Sequence, residues 1–174
     1  MVKWVFCDEK TFNLNLRSSG QRVKDNEILI LETVKHSEQV HCWWAISATT
    51  IFETFLFTDN LTADFFINIL GNNLPSPYAG RLPRGYTLLM DNDPKHTANV
   101  TKQWLNVHVP NFTSDFPPQS PDLNPIENIW SVVADKVAEK PPKNLEALQN
   151  AIRKICFSIP REYILHAIDS MDAR

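Results

Sequence analysis

At 174 residues, with 43% hydrophobic and 21% charged side chains, the chain has the make-up of one globular domain, which excludes collagen-like, low-complexity and disordered polymers. A net charge of −3 and a pI near 5.9 argue against gripping nucleic acid through the whole surface, because such surfaces are basic. Trp4-Val5-Phe6-Cys7 is too short for a signal peptide, no later run can span a membrane, and three scattered cysteines argue against a disulfide framework, so a reducing intracellular compartment fits best.

In chain order, Trp4 to Cys7 and Thr11 to Asn15 read as two antiparallel strands interrupted by Asp8-Glu9-Lys10. Ser18-Ser19-Gly20 reads as a turn, and Ile28 to Val34 as a further strand. Val40 to Ala48 and Ile51 to Phe57 add two more. The pattern Thr62-x-x-Phe65-Phe66-x-x-Ile69-Leu70 predicts a helix that stops at Gly71 or before Pro75. A loop punctuated by proline and glycine follows from Asn73 to Gly85. The apolar run Tyr86 to Met90 predicts a buried central strand ending in Asp91.

Thr97 to Leu105 reads as helical, and Val107-His108-Val109 as a short strand closed by Pro110. The proline-rich stretch from Asp115 to Pro125 holds a stiff path. Asn124 then caps a helix with Pro125 at its first position, running through Ile129, Val132 and Val133. Two more helices are expected near Asn144–Phe157 and Pro160–Met171. Strands first, then strands alternating with helices, then a helical tail: the order predicts one α/β domain, a mixed sheet flanked by helices.

Three carboxylates stand beside apolar runs. Asp8 follows the first strand, Asp91 follows the central one, and Glu127 lies in the first turn of its helix. Ligand sites in open sheets lie outside strand carboxyl ends, so two such aspartates on neighbouring strands would converge. Hard cations such as magnesium take a few carboxylates together with water and phosphate oxygens. Each residue also has a structural reading. Aspartates after strands form turns, and Glu127 stands three residues after Asn124, the spacing of a capping box. His96 reads as a phosphate contact, a support for the site or a structural residue. His36 and His41 with Cys42 resemble metal ligands only faintly. Trp43, Trp44 and Trp130 fall in apolar patterns and read as core.

Longer blocks carry a resemblance. Asp91-Asn-Asp-Pro-Lys-His-Thr-Ala98, then Pro118-Gln-Ser-Pro-Asp-Leu-Asn-Pro-Ile-Glu-Asn-Ile-Trp130, resembles the signature of the mariner superfamily of DNA transposases, Tc branch. Trp4-Val-Phe-Cys-Asp-Glu-Lys-Thr-Phe12 is similar to its first catalytic block, and Trp43-Trp-Ala-Ile-Ser47 to the strand between. The resemblance implies a ribonuclease-H-like fold and a DDE-type triad at Asp8, Asp91 and Glu127 that holds two Mg2+ or Mn2+ ions. It also implies hydrolysis of phosphodiesters at transposon ends, strand transfer into target DNA, and a homodimer in the full-length protein. Nuclear action follows if the source is eukaryotic.

Two departures stand out. Residues between Asp91 and Glu127 number 35, one more than the Tc-branch spacing, which a longer loop before Pro117 would absorb. The DNA-binding region expected before the first block is missing. The sequence therefore reads as a single catalytic domain over residues 1–174, with a domesticated interaction or DNA-architecture module, or a plain nuclease, as alternatives.

Overall fold

In a computed structural model of the chain, the structure describes residues 3–14, 38–74, 82, 84–114 and 124–170. Five strands form one mixed sheet: β1 (Trp4–Asn13), β2 (Gln39–Ser47), β3 (Phe55–Phe57), β4 (Thr87–Leu89) and β5 (Asn111–Thr113), in the order β3-β2-β1-β4-β5. β1 pairs antiparallel with β2 and parallel with β4, while β4 pairs parallel with β5. Among the described residues six helices flank the sheet: α1 (Ala63–Asn73), α2 (Pro94–Thr97), α3 (Asn99–His108), α4 (Pro125–Glu139), α5 (Leu145–Ser158) and α6 (Arg161–Asp169). This is the mixed α/β sheet expected from the sequence.

Alternation along the strands builds a core on each face. Phe6, Phe12, Cys42, Trp44, Ile46 and Leu89 face α4, α5 and α6, where Ile126, Ile129, Trp130, Val133, Leu148 and Ile152 meet them. Val5, Cys7, Trp43, Ala45 and Leu88 face the other way, against Phe66, Ile69 and Leu70 of α1 and Leu105 of α3. Both faces of β2 are covered, which is why its sequence is almost continuously apolar.

Several expectations are corrected. Trp4 to Cys7 and Thr11 to Asn15 are not two strands. β1 runs unbroken through Asp8-Glu9-Lys10, because Trp44, Trp43 and Cys42 of β2 pair with those three residues in register. The strand expected over Ile51–Phe57 shrinks to Phe55–Phe57, with Ile51 making only an isolated bridge to Ile46. Of the two expected ends of α1, the stop before Pro75 is the one observed, and Gly71 does not end it. The helix continues to Asn73, with the Trp104 ring 3.6 Å from where a Cβ on Gly71 would lie.

The helix expected from Thr97 begins earlier, at Pro94, and is broken at Ala98, whose extended ψ of 144° separates α2 from α3. Val107 and His108 are helical rather than a strand. Thr101 and Leu105 keep burying one face of α3, and the helix stops at Val109, where the following Pro110 disfavours helical geometry. The next strand is Asn111–Thr113. The turn at Ser18–Gly20, the strand at Ile28–Val34, His36, and most of the Asn73–Gly85 and Asp115–Pro125 loops lie outside the described residues.

Candidate active site

Parallel pairing of β1 with β4 sets the site. Phe6 stands opposite Leu89, and Asp8 and Asp91 each lie two residues further on. The register that aligns the two apolar runs thus carries both aspartates toward the same region of the sheet, within electrostatic reach of each other. Asp8 is thus an in-strand residue and not a strand end, while Asp91 follows β4 as expected. Asp8 projects to the α4 face, where the Trp130 indole N–H donates to its Oδ2 at 3.0 Å. Asn124 starts α4 by accepting from the Ile126 N–H at 3.3 Å, with Pro125 next in the chain. That places Glu127 in the first turn, one turn before Trp130 and on an exposed part of the helix.

Asp91 is held from the opposite direction. Its Oδ1 accepts from the Asp93 N–H at 3.0 Å, a local turn contact, and pairs with His96 Nδ1 at 2.5 Å. The other ring nitrogen of His96 lies 3.3 Å from Glu9 Oε1. Lys95 completes the group, its Nζ lying 3.3 Å from Glu9 Oε2 and 2.7 Å from Asp93 Oδ2. His96 is buried, with the Phe66 ring 4.2 Å from its own between centroids. Thr101 donates to the Lys95 carbonyl at 2.7 Å and so fastens α2 to α3.

The electrostatics follow from these positions. Burial lifts the Asp8 pKa to about 7, helped by the negative charges of Glu9, Asp91 and Glu127. The last two contributions bring all three candidate carboxylates into one electrostatic neighbourhood. Burial would also lift Asp91, but hydrogen bonds from His96 and Asp93 and the charges of His96 and Lys95 leave it below the usual carboxylate range. His96 loses charge stabilisation through burial, yet its contacts with Asp91 and Glu9 outweigh that and raise it to about 9. Among the described residues, no three His, Cys, Asp or Glu side chains are gathered closely enough to hold a metal ion as they stand.

Other candidates fall elsewhere. His41 hydrogen-bonds with Thr11 Oγ1 at 2.8 Å and stacks on Phe57. Cys42 is its neighbour in β2 and points into the opposite core, so the two share no metal site. Trp43, Trp44 and Trp130 are buried as expected. Glu9 and Lys95 were not singled out by sequence reasoning. Glu9 looks like part of a polar interruption, and its partner His96 is 87 positions away. A cleft of about 770 Å3 between the segment after β2 and α5, lined by Trp44, Phe52, Arg153 and Phe157, contains none of the three carboxylates.

Comparison with known proteins adds to the geometry. A family described as "DDE superfamily endonuclease" matches residues 3–149. The Tcb2 transposable-element transposase of Caenorhabditis briggsae is 30% identical over 179 residues, covering 98% of this chain and 64% of the relative. The Tc1 transposable-element transposase of Caenorhabditis elegans is 30% identical over 185 residues, covering 99% of this chain and 66% of the relative. The chain therefore spans just under two thirds of the length of these relatives. A crystal structure of the mariner Mos1 paired end complex with Mg superposes with a TM-score of 0.80 at 17% identity, covering 98% of this chain and 52% of that one. The fold is the ribonuclease-H-like one that the sequence resemblance implied.

Proposed function

This chain belongs to the DDE superfamily endonuclease family, and on that premise we propose that it is the catalytic domain of a DNA transposase. It cuts phosphodiester bonds at transposon ends and joins the freed strand to target DNA, with Asp8, Asp91 and Glu127 as its divalent-cation ligands. The observation that carries the reading is the carboxylate neighbourhood. Asp8 lies within β1 and Asp91 just past the end of the adjacent parallel strand β4, each two residues beyond the pair Phe6–Leu89, and the charges of Asp91 and Glu127 both raise the Asp8 carboxyl. Mutual repulsion of this kind is what a bound cation relieves.

The residues present fit magnesium or manganese. All three donors are hard carboxylate oxygens, as these ions prefer to nitrogen or sulfur. A pair of such ions would supply activation of the attacking oxygen and charge relief at the departing one. The protein does the placing. Trp130 fixes one oxygen of Asp8 through its indole N–H, α4 carries Glu127 in its first turn, and the Asp93 N–H and His96 occupy Oδ1 of Asp91. With a net charge of −3, much of the affinity for DNA comes from further DNA-binding parts and a second copy of the protein.

The test is nicking of supercoiled plasmid with Mg2+ or Mn2+, beside Asp91→Ala. The expected result is nicking that requires the metal and falls at least ~100-fold in the variant, the scale on which removing a preorganised electrostatic contribution acts. Metal-induced stabilisation that disappears in Asp91→Ala, without nicking, would keep the ligand assignment and assign cutting to the protein together with its DNA-binding parts. No nicking and no rise in Tm with metal would overturn the reading.

A further inference from the structure

We infer that Glu9, acting through His96, sets the orientation of the Asp91 carboxylate, which makes Glu9 and His96 positioning residues of the site. The inference rests on the reading of Asp8, Asp91 and Glu127 as cation ligands. His96 stands between two carboxylates, 2.5 Å from Asp91 Oδ1 through Nδ1 and 3.3 Å from Glu9 Oε1 through Nε2. Each ring nitrogen faces one carboxylate oxygen, so the imidazole forms a rigid bar between Asp91 and Glu9. The ring cannot swing away. Its side chain is 2% exposed and the Phe66 ring covers it.

Glu9 is fixed in turn. Its second oxygen takes Lys95 Nζ at 3.3 Å, and Lys95 is itself anchored to Asp93 at 2.7 Å. Asp91 needs such a brace, since its own side chain is 55% exposed and would otherwise sample several rotamers. The Asp93 N–H and His96 both meet Oδ1 of Asp91, so Oδ2 is the oxygen that would be offered to a cation. Strand alternation explains how neighbouring residues share the work. Asp8 projects to the α4 face as a ligand, and Glu9 projects to the α2 face as the brace for the other aspartate. Supports of this kind around metal ligands are worth ~10–100-fold in metal affinity when removed.

The plain alternative is that the same contacts only dock α2 on the sheet. Mn2+ affinity of the full chain, read from the free-ion EPR signal, separates the two when paired with the Tm of the metal-free protein. Glu9→Leu should raise the Kd for Mn2+ by ~10–100-fold. Glu9→Gln, which keeps an acceptor for the imidazole but loses the charge facing Lys95, should stay within about threefold of wild type. Docking alone predicts that both variants lower Tm while the Kd stays put, and that result would overturn the inference. Should Glu9→Leu not fold, Glu9→Asp takes its place with the same expected loss, because the charge is kept but withdrawn by one methylene. Asp91→Asn is the control on the underlying reading. Wild-type Mn2+ affinity in that variant sinks the ligand assignment itself, whereas loss there with none in the Glu9 variants sinks only the brace.

Discussion

Burial beside Trp130 and α4, with like charges around it, holds the Asp8 carboxyl at about 7 against an ordinary value of 3.8. Between those values the folded, metal-free protein keeps a proton that the unfolded chain has lost. Its stability therefore falls as pH rises from about 4 toward 7, at no more than ~1.4 kcal/mol per unit. One other shift falls in that window with the opposite sign. Burial and the charge of Lys95 lower His41 from 6.5, so it adds stability as pH rises toward 6.5. The Asp8 contribution is therefore the difference in slope between wild type and an Asp8 variant. His96, raised to about 9 from 6.5, is charged in both states below 6.5 and costs stability only at higher pH, while Asp91 and Asp93, both lowered, act below 3.8. Urea melts of the metal-free protein between pH 4.5 and 6.5 should show the slope, and Asp8→Asn should flatten it. A wild-type slope equal to that of the variant would mean that Asp8 titrates normally. At this scale the sequence put the proposed carboxylates forward, because aspartates beside apolar runs are visible in one dimension. It did not disclose Glu9, since nothing local announces a contact with a histidine 87 positions away.

α4 shows how an element positions chemistry. Asn124 supplies the cap, Pro125 presets the first turn, and Ile126, Ile129, Trp130 and Val133 bury one stripe against the sheet, which leaves Glu127 aimed from the helix start. Asn124→Ala should cost about 1 kcal/mol in denaturant unfolding and loosen Glu127, lowering Mn2+ affinity several-fold; stability lost with the metal affinity untouched would separate the cap from the site. This helix was legible because cap, proline and apolar stripe agree. β1 was not, because charged residues in mid-strand normally signal a turn. Here they are tolerated, since Trp130 on one face and His96 and Lys95 on the other receive Asp8 and Glu9. The Val107–Val109 segment misled for the opposite reason: its β-branched residues suggest a strand, but burial of Thr101 and Leu105 keeps α3 helical through His108.

Across the whole molecule, the sheet is the shared wall of two cores, and the proposed site is built on residues within that wall and just past the end of β4. Leu70 lies on the α1 side and Ile129 on the α4 side, both fully buried. β1 contributes to both cores through alternate residues, Phe6 and Phe12 to one, Val5 and Cys7 to the other. Neither core can open without stripping one face of the strand that carries Asp8 and Glu9. Leu70→Ala and Ile129→Ala should therefore each cost ~2–5 kcal/mol and lower one common transition rather than two. The tryptophans allow a direct check, because Trp43 packs on the α1 side while Trp44 and Trp130 pack on the α4 side. Fluorescence and far-UV circular dichroism melts should coincide in the wild type and in both variants, as a two-state domain requires. A variant whose fluorescence change precedes its loss of helix would show the cores melting separately, and the carboxylates could then come apart while half the fold persisted. Coincident melts instead make the integrity of the proposed cation site a property of the entire sheet, so that a substitution far from Asp91 acts on it only by unfolding the whole.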